Sequence, residues 1–169
     1  MKLVVGGSSG FLGTEVVRQA LTHPSITSVV ALSRRETPVP ADASPEDAKK
    51  LISGVCDDFE SYPDTVKKAL EGADACIWTI AVTPSKAKDS TWEEIVKITR
   101  GYASTAVQAT GSLPRSKDTP FRFMYISGHF AQRSKTDPVP EFVVARGMRD
   151  MVLMRVSERC ARECLISSY

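Results

Sequence analysis

MKLVVGGSSGFLGTEVVRQALTH, from Met1 to His23, carries a strand, a turn and a helix in direct succession. Leu3 to Val5 is a short apolar run, the signature of a strand buried on both faces. It enters glycines spaced G-x-x-G-x-x-G at Gly7, Gly10 and Gly13. From Gly10 to His23, Leu12, Val16, Val17, Ala20 and Leu21 recur at helical spacing, and Pro24 stops the run. Such a turn needs one residue free to take unusual backbone angles and one without a side chain where a pyrophosphate approaches. A third lets helix and strand pack tightly. Ser8, Ser9, Phe11 and Leu12 lie between the glycines and complete the candidate cradle, in which free N–H groups and the helix dipole favour an anion. A glycine turn with a purely structural role is the alternative, and the strand before and helix after it argue against that.

Outward from this unit, strand-like and helix-like runs keep alternating, which predicts βαβ units around a parallel sheet. Val29 to Leu32 reads as a second strand, followed by a proline-rich surface loop between Thr37 and Pro45 and a short helix near Glu46 to Lys50. Leu51 to Val55 is a third strand, Pro63 to Leu70 a helix, and Ala75 to Ala81 a fourth strand. Trp92 to Gln108 is a long helix whose apolar residues fall at mixed spacing, and Gly111 to Thr119 is a polar loop. Phe121 to Ile126 is a fifth strand, Glu141 to Cys164 a last helix, and Leu165 to Tyr169 the start of a sixth strand. The expected fold is an α/β, Rossmann-like, doubly wound parallel sheet of five to six strands, with residues 1–169 forming one NAD(P)-binding domain.

The end of the second strand distinguishes the two nicotinamide cofactors. A carboxylate there would bond the ribose hydroxyls of NAD, and an arginine would pair with the extra phosphate of NADP. The sequence reads A-L-S-R-R-E, with Ser33, Arg34 and Arg35 at that place and no carboxylate before Glu36. NADP is favoured over two merely solvated arginines. After the third strand, Asp57, Asp58 and Phe59 offer a carboxylate and a ring for the adenine, or a loop carboxylate that caps the next helix.

GGSSGFLG at the first turn, SRR after the second strand, DDF after the third and YISG at the fifth resemble the atypical short-chain dehydrogenase/reductases. Within them the chain is most similar to NmrA-like and sugar-epimerase-like NAD(P)-binding proteins, especially small fungal ones. The resemblance runs from Met1 to about Cys164 and implies that Thr79, Ile80 and Ala81 line the cofactor and that Ser127 holds a substrate carbonyl. It also implies a tyrosine and a lysine four residues later on the next helix, where the lysine lowers the tyrosine's pKa. Here E-F-V-V-A-R-G-M-R offers only Phe142 with Arg146 or Ala145 with Arg149. Tyr125 and His129, flanking Ser127, are the other candidates for proton transfer, although a packed strand tyrosine and a loop histidine are the plainer readings. Relatives continue beyond this helix, so the expectation is either a complete sheet of about five strands or a truncated form whose exposed C-terminal edge a homodimer or protein partner covers.

Composition narrows the classes. A net charge of +2 is too small for a dedicated nucleic-acid binder, and 42% hydrophobic residues suffice for a sizeable core. The N-terminus lacks the pattern of a secretory signal and no run of 18 apolar residues occurs, so a cytoplasmic protein with no membrane contact is expected. Cys56, Cys76, Cys160 and Cys164 show no C-x-x-C spacing, and although Cys160 and Cys164 would share a helix face as a metal or redox pair does, buried free thiols and no metal are expected. Two functions compete. One is an NADP-dependent oxidoreductase, or an isomerase derived from one, acting on a small carbonyl or hydroxyl compound. The other is a non-catalytic NADP sensor of NmrA-like type, with a pseudoenzyme lacking any cofactor as a third.

Overall fold

In the computed structural model, residues 1–113, 120–126 and 154–156 are described. The elements run β1 (Lys2–Gly6), α1 (Phe11–Thr22), β2 (Ser28–Ser33), α2 (Pro45–Ala48), β3 (Leu51–Val55), α3 (Asp64–Leu70) and β4 (Ala75–Trp78). They continue with α4 (Pro84–Ala87), α5 (Trp92–Val96), a π-helical turn (Lys97–Gly101), α6 (Tyr102–Gly111), β5 (Phe121–Tyr125) and β6 (Met154–Val156). The strands form one sheet in the order β3-β2-β1-β4-β5-β6. The first five are parallel, the pairing expected when helices alternate with strands.

Successive residues of the central strands serve opposite faces. Val4, Val30, Cys76 and Trp78 point into one core, where Val66 and Leu70 of α3 and Ala103, Ala106 and Val107 of α6 cover them. Leu3, Val5, Val29 and Ala31 point into the other, beneath Val17, Ala20 and Leu21 of α1. This two-sided burial is why β1 and β2 read as unbroken apolar runs rather than as alternating ones.

The long helix expected from Trp92 is present but re-phased. Thr91 opens it with a capping box closed by Glu94, and the π turn then follows α5 without a break. Ile95, Thr99 and Ala103 are all buried, at steps of four residues. An α-helix would rotate such residues progressively off one face, and the wider π turn keeps them on a single buried one. That is the physical origin of the mixed apolar spacing.

The last helix needs correction. Residues 154–156, expected inside it, form β6, which pairs antiparallel with β5 in the register Phe121↔Val156 and Phe123↔Met154. Ladder hydrogen bonds to the outer edge of β5 outweigh local helical periodicity at those three residues. The remainder of that expected helix, and the strand expected from Leu165, lie outside the described residues. No helix among the described residues is long and apolar enough to cross a membrane.

Candidate functional site at the turn between β1 and α1

The strand order reverses at β1, whose neighbours are β2 on one side and β4 on the other. A crevice therefore opens at the carboxyl ends of β1 and β4, the place where open α/β sheets bind ligands. Gly7 stands at its floor with φ of +84°, a backbone conformation that side chains disfavour. A Cβ there would lie 2.5 Å from Oγ1 of Thr79 and 2.9 Å from Cγ1 of Ile80. Thr79 donates its hydroxyl to the Gly6 carbonyl at 2.8 Å, locking the end of β4 to the turn. Thr79, Ile80 and Ala81 are half-buried at this end of the sheet, and Thr79 and Ile80 stand against Gly7.

Gly10 is the N-cap of α1, with extended backbone and no side chain to satisfy the helix start. The first helical hydrogen bond runs from the Thr14 N–H to the Gly10 carbonyl at 2.9 Å, which leaves the N–H groups of Phe11, Leu12 and Gly13 ahead of it. Phe11 is 94% exposed and Leu12 is 51% exposed, so the first turn of the helix is open to the crevice. Gly13 has a different role: a Cβ there would sit 2.1 Å from the Gly7 carbonyl oxygen. The helix thus packs directly on the turn backbone.

A cleft of about 470 Å³ separates this turn from the loop after β2, and Ser9, Thr14, Arg35, Glu36, Thr37 and Val39 line it. Arg34 and Arg35 are both exposed. Arg35 belongs to the cleft, whereas the charge of Arg34 reaches Tyr102 on α6. Burial foremost pushes the Tyr102 hydroxyl up, the carboxylates of Asp58 and Glu60 add to the push, and Lys97 and Arg34 oppose it. Lys97 also pairs with Glu60 at 2.8 Å and stands 5.9 Å from the centre of the Tyr102 ring.

Several expected site residues are placed otherwise than their sequence position suggested. Phe59 is 2% exposed, with its ring edge-on to Trp78 at 5.7 Å and tilted against Tyr102 at 5.4 Å. Its ring is a core element, because burial against two aromatics gains more than exposure beside a ligand. Asp57 and Asp58 remain exposed, and Asp58 accepts the Glu60 N–H at 3.0 Å, capping a local turn rather than helix α3. Ser8 and Ser33 are buried, with their hydroxyls engaged inside the protein, while Ser9 stays exposed. Tyr125 is 7% exposed among core residues of β5, which fits the packed-strand alternative. Ser127 and His129 lie outside the described residues. Cys56 and Cys76 are free and buried, and burial pushes both thiols up.

Sequence reasoning missed Thr37, which is 6% exposed although it sits in a proline-rich loop, and Trp78, which packs on Gly6. Neither left a local signal, since each owes its place to a neighbour far away in the chain.

The model of the 3-beta hydroxysteroid dehydrogenase/isomerase family matches residues 3–110, from β1 almost to the end of α6. The chain belongs to this family. It is of the short-chain dehydrogenase/reductase type, in agreement with the resemblance carried by the glycine turn. Among curated proteins nothing matches the sequence. Of solved structures, the chain is similar to UDP-glucuronic acid 4-epimerase from Bacillus cereus in complex with NAD, with a TM-score of 0.58 and 19% identity over 86% of this chain and 49% of that one. It is likewise similar to dTDP-glucose 4,6-dehydratase DesIV from Streptomyces venezuelae with NAD bound, with a TM-score of 0.61, 18% identity and coverage of 87% and 48%. The PhqB reductase domain from Penicillium fellutanum gives a TM-score of 0.62, 18% identity and coverage of 86% and 41%. These likenesses establish the Rossmann fold, and the family member described here spans about half the length of the structures it matches.

Proposed function

We propose that the chain binds NADP and belongs to an oxidoreductase, or an isomerase derived from one, that acts on a small carbonyl or hydroxyl compound. The observation that carries this reading is the open N-terminus of α1 above the positive-φ Gly7, beside a cleft into which Arg35 contributes. The first-turn N–H groups suit a pyrophosphate, and Arg35 with Ser9 and Thr14 suits a phosphate monoester on the adjoining ribose. A bound nicotinamide supplies or accepts a hydride. Family membership and the NAD-bound relatives support a nicotinamide cofactor. Ser127, in the YISG segment after β5, is assigned from the sequence to orient the substrate oxygen.

Glu36 lines the same cleft, and a carboxylate there could instead accept hydroxyls of an unphosphorylated ribose, which is the specific observation in favour of NAD. The missing tyrosine–lysine pair favours a sensor of NmrA-like type over a catalyst. Fluorescence titration with NADPH and NADH, followed by a screen of small aldehydes, ketones and quinones for cofactor oxidation, tests all three readings. Tighter NADPH binding with turnover is expected. Tighter NADH binding transfers the assignment to NAD, and binding without turnover transfers it to the sensor.

A further inference from the structure

We propose that Thr37 is a positioning residue for cofactor discrimination, holding Arg35 over the cleft by tying the loop after β2 to the glycine turn; this rests on the NADP reading above. The loop is pinned on both sides of Arg35. Before it, the Ser33 hydroxyl donates to the Arg35 carbonyl. After it, the Thr37 N–H donates to Oγ of Ser53 on β3 at 3.0 Å. The Thr37 hydroxyl bridges the two parts of the site, with Oγ of Ser8 at 2.7 Å and Oγ of Ser33 at 3.4 Å. Ser33 gives its only hydroxyl proton to the Arg35 carbonyl, and either hydroxyl can donate in the shorter contact between Thr37 and Ser8.

This chain of hydroxyls is buried: Ser8 is 0%, Ser33 2% and Thr37 6% exposed. Water cannot replace a lost member without entering the space between the loop and the turn. Arg35 is held by no ion pair among the described residues, so the anchored backbone on either side is what fixes where its side chain begins. A long flexible side chain loses less freedom on binding when its root is already in place. Discrimination by Arg35 therefore depends on a buried threonine in the cleft wall whose hydroxyl is spent on the turn.

Thr37→Val keeps the shape and removes the hydroxyl. Titrated with both reduced nucleotides, it is expected to bind NADPH about fivefold more weakly and to change NADH by less than about twofold, the loss of one ordinary hydrogen bond. Thr37→Ser should restore NADPH affinity. In an Arg35→Ala background, Thr37→Val should have no further effect, since its action runs through that arginine. Equal weakening of both nucleotides, unchanged NADPH affinity, or full additivity with Arg35→Ala would each overturn the proposal. If Thr37→Val does not fold, Ser53→Ala removes the acceptor of the Thr37 N–H on β3, away from the glycine turn, and it must show the same selective loss. The parent protein is titrated first: failure to prefer NADPH removes the NADP reading itself, and failure confined to the variants removes only the role of Thr37.

Discussion

Trp78 packs against Gly6, the last residue of β1, so closely that a methyl group on Gly6 would lie 2.3 Å from Cε3 of the indole. The two residues are register partners on adjacent parallel strands, and Trp78 is fully buried. The indole thus fills the space that a side chain at Gly6 would need, directly below the turn that carries the site.

Gly6→Ala should accordingly destabilise the fold by about 1–3 kcal/mol, the usual cost of overpacking a rigid core. Urea unfolding checks this through a lower midpoint at unchanged slope. Wild-type stability would mean that the indole has room to move.

Gly10 and Gly13 should separate binding from folding. A Cβ on Gly10 meets only the Gly7 carbonyl at 3.2 Å, and the backbone there is extended, so Gly10→Val should fold normally by circular dichroism. Its branched side chain would occupy the approach to the helix N-terminus and abolish nucleotide binding. Gly13→Ala drives a methyl into turn backbone at 2.1 Å and should lower stability by roughly 3 kcal/mol. Normal nucleotide binding by Gly10→Val would leave the turn a structural feature only.

Arg35→Ala should weaken NADPH about tenfold or more, as expected for a charge-assisted bond to phosphate, while NADH barely changes. Arg34→Ala, which removes a charge outside the cleft, should cost less. The salt dependence of NADPH binding should flatten in Arg35→Ala, because the lost contact is between exposed charges. Equal losses for NADH would place Arg35 outside the discrimination of the extra phosphate.

Asp47 provides a pH signature of the fold. Lys50 at 2.7 Å, foremost, and the Ser44 hydroxyl at 2.8 Å hold its carboxyl below the ordinary carboxylate range. The unfolded chain therefore takes up the proton first, and the stability linked to this group is present above about pH 4 and lost as pH falls through the folded value. Urea midpoints of the parent and Asp47→Asn should differ most near neutral pH and converge as the medium is made more acidic than the ordinary carboxylate range. A difference that widens on acidification would mean that folding raises the Asp47 carboxyl above its ordinary range.

The amino-acid sequence by itself determined the β1, turn and α1 unit, the alternation that makes the sheet parallel, and the identity of the glycines and arginines at its carboxyl end. Those features are local: apolar period, glycine spacing and a proline stop act within a few residues of chain. Only the tertiary structure decided what each side chain then faces. Strand order brings Trp78 onto Gly6 and Thr79 onto Gly7, residues separated by about seventy positions, and no window of sequence contains both partners. The same holds for Thr37, buried between Ser8 and Ser53 although its loop is rich in prolines, and for Phe59, whose ring goes to the core instead of the crevice. Residues 154–156 show the limit from the other side, for a helical period there gave way to the hydrogen bonds of an open strand edge. Local pattern selects an element, and the packing of distant elements decides which of its residues remain available to a ligand.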